Sequence, residues 1–141
     1  MTVDYRVRVP FATRWNDNDQ YGHLNNTIYY QAMDTAVNAW MMREGGLDPR
    51  GGAIALCAAS SCEFHASAGF PDALEVGIAV ERLGTSSITW TLGILRTGDD
   101  GPIATGRFTH VFVDAETRRP TPIPAAVRAA VEAQLAITPR P

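Results

Sequence analysis

One long helical pattern governs what this chain can become. Across residues 25–44, Ile28, Ala32, Met33, Ala36, Val37, Trp40 and Met41 recur at spacings of three and four. That apolar stripe is broad enough to be buried along its whole length. Asn25 or Asn26 stands where an N-cap is needed, and Gly45-Gly46 supplies the stop. A helix of that length needs a partner surface, and the rest of the chain offers one as strands. Residues 53–65, 74–81, 87–94 and 103–114 read with a period of two, apolar on one face. Ile54, Leu56, Ala58, Cys62 and Phe64 form that face in the first of these runs. Upstream, Val3, Tyr5, Val7 and Val9 alternate with Asp4, Arg6 and Arg8, predicting a strand within residues 3–15. Pro10 confines it to an edge or a bulge. After a proline-rich linker, Val127, Val131 and Leu135 mark a short second helix over residues 125–135. The order β-α-β-β-β-β-α is an α+β layout, with one helix packed on an antiparallel sheet. At 141 residues it predicts a single domain, 1–141.

Charge narrows the partners. Twelve basic and 15 acidic side chains give a net charge of −3. A nucleic-acid binder would show a basic stripe, and none is visible. No apolar run approaches the roughly 18–20 residues of a spanning helix. The opening MTVDYRVRVPF alternates charged and apolar residues, so no secretory leader is expected from it. Cys57 and Cys62 are five residues apart. On a regular strand that odd spacing sets them on opposite faces, and no disulfide is expected. Together these signs predict a reduced, cytoplasmic protein with neither nucleic acid nor membrane as partner.

The chemistry crowds the start of the long helix. RWNDNDQYGHLNN sets Asp17, Asp19 and His23 just ahead of it. First-turn N–H groups have no intrahelical partner, and the helix dipole favours negative charge beside them. A carboxylate there suits a base or nucleophile more than an acid. The same N–H groups suit an oxyanion forming on a carbonyl. Gly22 lets the backbone approach a ligand closely. Acyl transfer needs both elements. The other reading is structural, because Asp and Asn are ordinary helix caps. One cap uses one or two polar residues and many more crowd here, yet the residues alone leave both readings open. A calcium loop beginning at Asp17 would need an oxygen ligand at Tyr21 and a glutamate at Ile28, so no metal is expected. Ser60 and Ser61 lack a nucleophile-elbow motif. His65 and His110 fall in strand patterns and read as structural or exposed. Trp15, Trp40 and Trp90 read as core.

RWNDNDQYGHLNNTIYY resembles the signature of hotdog-fold acyl-CoA thioesterases of the 4-hydroxybenzoyl-CoA thioesterase type. The likeness continues through FPDALEVGIAVERLGTSSITWTLGI and ATGRFTHVFVDAETRRPTPIP, covering about residues 11–135. It implies one long helix wrapped by a five- or six-stranded antiparallel sheet. It implies an acyl-CoA substrate, no cofactor, and a homodimer joined through its sheet edges, often paired again into a tetramer. Active sites would then lie at the dimer interface. The second aspartate of the signature, Asp19, would be the catalytic carboxylate, attacking the thioester or activating water. Backbone N–H groups within residues 22–26 would polarise the carbonyl, with Gly22, His23 and Asn26 shaping the site. Asp17 would hold the loop. Asn25 and Tyr29 are expected to contact substrate. Ser61 and Glu63, if they share a face, are expected to reach the acyl pocket near the neighbouring subunit's Asp19. Gln20-Tyr21 follows Asp19 where aromatic-specific members have proline and alanine, which looks closer to the general acyl-CoA branch. Arg82, Arg118 and Arg119 are the candidates for the CoA phosphates.

Two other readings are open, the second without a positive sequence feature. Hotdog dehydratases or hydratases resemble this layout but use Asp-x-Asn-Pro-x-His, with histidine five residues after aspartate. Here His23 is six residues after Asp17 and four after Asp19, without an intervening proline. A non-catalytic acyl-CoA binding module would use the cluster as a cap and anion site only.

Overall fold

A computed structural model of the protein describes residues 2–140. Its elements are β1 (Val7–Ala12), a 3-10 turn (Trp15–Asp17), α1 (Asn26–Gly45), β2 (Ala53–Phe64), β3 (Ala73–Leu83), β4 (Ser87–Arg96), β5 (Ala104–Asp114) and α2 (Ala125–Gln134). That is the order the periodicities predict. The five strands form one antiparallel sheet in the spatial order β1-β3-β4-β5-β2. With the 20-residue α1 laid across one face, this is a hotdog fold. Pro10 costs no ladder bond that a central strand would need, because β1 is an edge strand paired with β3 alone.

The ends of α1 follow the sequence signals. Asn25 is the N-cap: its side-chain oxygen accepts the Thr27 N–H at 3.0 Å and the Thr27 hydroxyl at 2.7 Å. Gly46 closes the helix in the left-handed region at φ 62°, where glycine carries no Cβ penalty. Met33, Val37, Trp40 and Met41 are buried in one core with Val76, Ile78, Trp90, Leu92, Phe108 and Phe112 from the sheet. Each such side chain stabilises the fold by about 1.5–3 kcal/mol relative to exposure. Trp40 meets Trp90 edge to face at 6.0 Å. His110 lies in this core and accepts the Trp90 indole N–H at 2.8 Å. Burial pushes its imidazole below the ordinary value, opposed by the Asp34 carboxylate. His110 is therefore a structural residue of the core.

Strand β2 departs from the regular alternation. Its register with β5 shifts between Cys57 and Ala59. A bulge adds one residue and moves every later side chain to the other face. Ala55, opposite Phe112, and Cys62, opposite Gly106, both pack against the core. Leu56, predicted to share a face with Cys62 and Phe64, is instead exposed on the other side of the bulge. Cys57, opposite the core residue His110, consequently shares the helix-facing side with Cys62, against the parity argument. Both thiols are free.

The outer face of the sheet is partly covered as well. Tyr5 lies over Gly77 and Gly93, and a Cβ on Gly93 would meet its ring at 2.7 Å. With Ala79 and Leu95 it makes a second, small core. No helix among the described residues is long and apolar enough to cross a membrane.

Candidate active site

The acidic segment folds into a very small hairpin. Asn18 and Leu24 form an antiparallel bridge, with the Asp19 N–H on the His23 carbonyl at 2.9 Å and the Asn25 N–H on the Asp17 carbonyl at 3.0 Å. The turn closes when the Gly22 N–H donates to the Asp19 carbonyl at 3.0 Å. Gly22 has φ 81°, which strains any residue with a Cβ. The Leu24 N–H then donates to the Ala68 carbonyl at 2.8 Å, fastening the hairpin to the β2–β3 loop.

The two aspartates have different surroundings. Asp17 is only 3% exposed. Its carboxylate accepts the Arg14 backbone N–H at 2.8 Å and the Arg14 Nε–H at 3.0 Å, with a further ion-pair contact to the guanidinium at 3.0 Å. Its acceptor capacity goes into holding the chain. Asp19 is half-buried. One of its oxygens accepts the Tyr21 N–H at 2.9 Å, and the other stands 3.4 Å from the Asn25 side-chain nitrogen. It is steered by two neutral donors, and no cation among the described residues forms an ion pair with it. Asn25 is also the helix cap, so the carboxylate sits beside the positive end of α1.

Backbone donors lie in the same segment. The N–H groups of Gly22, Leu24 and Asn25 are committed to carbonyls, and that of Thr27 to its cap. Those of His23 and Asn26 make no hydrogen bond among the described residues. The structure thus brings together Asp19, Gly22, His23, Asn25 and Asn26. Tyr29, one turn into α1, is buried with its ring edge-on to Phe64 at 5.1 Å, and burial pushes its hydroxyl up. Ser61 and Glu63 do share a face, but within one protomer it is the outer face. There they line a cavity of about 350 Å³ with Tyr5, Glu81 and Arg107. Arg82 lies near the end of β3 remote from Ala73, about 30 Å along the strand. Arg118 and Arg119 follow β5 at that same far end. The three arginines therefore do not approach the acidic segment of their own protomer.

Sequence reasoning missed the support under this hairpin. The Phe70 N–H donates to the Asn18 side chain at 3.0 Å. Asp72 is held by the Gly69 N–H at 3.2 Å and by Arg96 at 2.7 Å, and both lower its carboxyl below the ordinary value. Arg96 also donates to the Ser67 carbonyl at 2.6 Å. Gly69, Pro71 and Asp72 are turn-forming residues, but nothing in them says what the turn touches. Trp15, predicted as core, is 85% exposed. It sits on a one-turn helix, and no strand or helix among the described residues covers it. Among the described residues no three His, Cys, Asp or Glu side chains gather as a metal set.

A model of the thioesterase-like superfamily matches residues 13–131, which include the whole hairpin and its support. The chain belongs to the thioesterase-like superfamily. Among solved structures, this superfamily member is 44% identical to the PA5185 protein of Pseudomonas aeruginosa strain PAO1, over 95% of this chain and 94% of that one, with a TM-score of 0.90. It is 31% identical to PA2801 of Pseudomonas aeruginosa, described as a candidate thioesterase, over 89% and 95% of the two chains, with a TM-score of 0.79. A 1,4-dihydroxy-2-naphthoyl-CoA thioesterase of Synechocystis shares the fold at 18% identity, 88% and 93% coverage and a TM-score of 0.78. No curated protein matches the chain. Membership of the thioesterase-like superfamily gives the class of chemistry, hydrolysis of a thioester.

Proposed function

We propose that this protein hydrolyses acyl-CoA thioesters to the free acid and CoA. The supporting observation is the Asp19 carboxylate. It is held by the Tyr21 N–H and the Asn25 side chain at the capped start of α1, beside the uncommitted N–H groups of His23 and Asn26. Asp19 attacks the thioester carbon directly, or takes a proton from the water that does. The carbonyl oxygen becomes an oxyanion, which the helix-terminal N–H groups stabilise. The C–S bond then breaks and CoA leaves as its thiolate. In the direct route, water afterwards cleaves the acyl-aspartate and restores the carboxylate. A thioester carbonyl is weakly resonance-stabilised and its thiolate leaves readily, so a carboxylate with backbone donors suffices without a triad. Gly22 shapes the turn, Asn25 lines the approach of the substrate, and the buried Tyr29 backs the substrate site from within α1.

The active form in this reading is a cytoplasmic homodimer of single-domain subunits, or a pair of such dimers. β2 supports it. This edge strand is 12 residues long, carries one charge at Glu63 and leaves one row of backbone groups unpaired. Such an edge invites a second copy. Pairing two β2 strands would extend the sheet and bring Ser61 and Glu63 toward the partner subunit's Asp19.

A panel of acyl-CoAs assayed with wild type and Asp19→Asn tests the chemistry. We expect a loss of at least about a hundredfold in kcat, the scale of a lost base. Wild-type rates in the variant would remove Asp19 from the mechanism. Sedimentation tests the assembly, and a monomer at micromolar concentration refutes it.

A further inference from the structure

The aromatic side chains at the rim of the hairpin are unexpectedly open to water. Trp15 is 85% exposed and Phe70 is 39% exposed. Their rings meet edge to face at 6.0 Å and 72°. Both are held from behind: Asp17 clamps Arg14, the residue before Trp15, and the Phe70 N–H is fixed on Asn18. A solvated indole paired with a second exposed ring, four residues from the Asp19 carboxylate, is an open apolar surface.

We propose that Trp15 and Phe70 form a ledge on which the adenine of CoA stacks, with the Arg14 guanidinium facing its phosphates. This inference rests on the acyl-CoA reading above and names the part of the substrate that this rim holds. An acyl chain favours enclosure by apolar walls. An open ring face suits a planar heteroaromatic group that stays half in water, because every base has a stacking face. Arg14 gives two guanidinium contacts to Asp17, yet its side chain remains 65% exposed. Its remaining N–H groups are available to phosphate oxygens. The distance also fits. Trp15 and Asp19 are four residues apart, at most about 14 Å along the chain. A thioester carbonyl at Asp19 and a nucleotide at Trp15 can therefore belong to one extended ligand. Arg82, Arg118 and Arg119, at the far end of the sheet, do not offer this within one subunit.

Calorimetric titration with CoA and with pantetheine, which lacks the nucleotide, tests the ledge. Trp15→Ala should weaken CoA binding about tenfold, the scale of one lost base stack. Pantetheine affinity should change less than twofold, and Trp15→Phe should recover most of the loss. CoA binding equal to wild type in Trp15→Ala overturns the proposal. So does a parallel loss for both ligands, a change in oligomeric state, or a wild type that does not bind CoA. If CoA binds through Trp15 but no acyl-CoA is hydrolysed, the ledge stands and the hydrolase reading fails. If acyl-CoA is hydrolysed and Trp15→Ala binds CoA normally, the ledge alone fails.

Discussion

The side-chain amide of Asn25 ties the start of α1 to the carboxylate of Asp19. Its oxygen accepts the Thr27 N–H at 3.0 Å, and its nitrogen stands 3.4 Å from an Asp19 oxygen. One residue therefore caps the helix and orients the proposed catalytic group. Replacing it separates the two tasks. Asn25→Asp retains a good cap but sets two like charges together. We predict near-wild-type stability with kcat reduced about tenfold through lost orientation. Asn25→Ala should lose activity and about 1 kcal/mol of stability. Full activity in Asn25→Asp would show that the carboxamide contact is irrelevant to catalysis.

Asp17 should behave as a structural residue. Its buried carboxylate accepts two hydrogen bonds from Arg14 and makes a further ion-pair contact with it, while the Arg14 side chain is 65% exposed. Removing a partner from a fully buried pair costs about 3–5 kcal/mol. Here the freed guanidinium regains water, so about 1.5–2 kcal/mol is expected, the worth of a hydrogen bond to a charge. Thermal melting of Asp17→Asn should fall by roughly 3 °C per kcal/mol. Activity lost without any drop in melting temperature would contradict this role.

His110 makes stability depend on pH. Burial sets its folded pKa below the ordinary value of 6.5. Below that value the unfolded chain takes a proton that the folded chain resists. The stabilisation is thus complete above pH 6.5 and declines as pH falls toward the depressed folded value. His110→Phe removes both the titration and the acceptor for the Trp90 N–H. Denaturant midpoints should then vary less between pH 7 and pH 5, with about 1–3 kcal/mol lost at neutral pH from the unpaired indole. An unchanged pH slope would exclude His110 as its source.

The Asp72–Arg96 pair should govern the mobility of the hairpin's support. The Gly69 N–H and Arg96 hold the Asp72 carboxyl below its ordinary 3.8. Its contribution is present above that value and lost as pH falls through the depressed folded one. The pair is more than a third exposed, so its effect on global stability is small. The local effect is larger, because Arg96 also anchors Ser67, next to the Ala68 carbonyl that holds Leu24. In Arg96→Met, the Leu24 amide should exchange with deuterium about tenfold faster. Equal exchange rates would mean that the loop is held by other contacts.

Local patterns carried far in this chain. The α1 stripe, its Asn25 cap and its glycine stop are written within 22 consecutive residues, 25–46, because capping and amphipathicity act within a turn or two. The asymmetry of Asp17 and Asp19 was suggested by the family resemblance. Its physical cause, the Arg14 clamp on one and the neutral donors on the other, is visible only in three dimensions. Period-two counting failed at β2, since a bulge leaves no composition signal and one extra residue reverses every later side chain. Trp15 departs from the core expectation because apolar character leads to burial only where some element packs over the side chain.

The element order, the single long helix and the polar segment at its start are legible in local residues, because all are products of nearest-neighbour chemistry. Three features are visible in the assembled fold alone: β2 crosses to the far edge beside β5, Ser61 and Glu63 face away from α1, and residues 66–72 support the acidic hairpin. Those outcomes depend on which distant backbones pair. Pairing is settled by burying the whole apolar surface at once, and no short stretch of sequence records it.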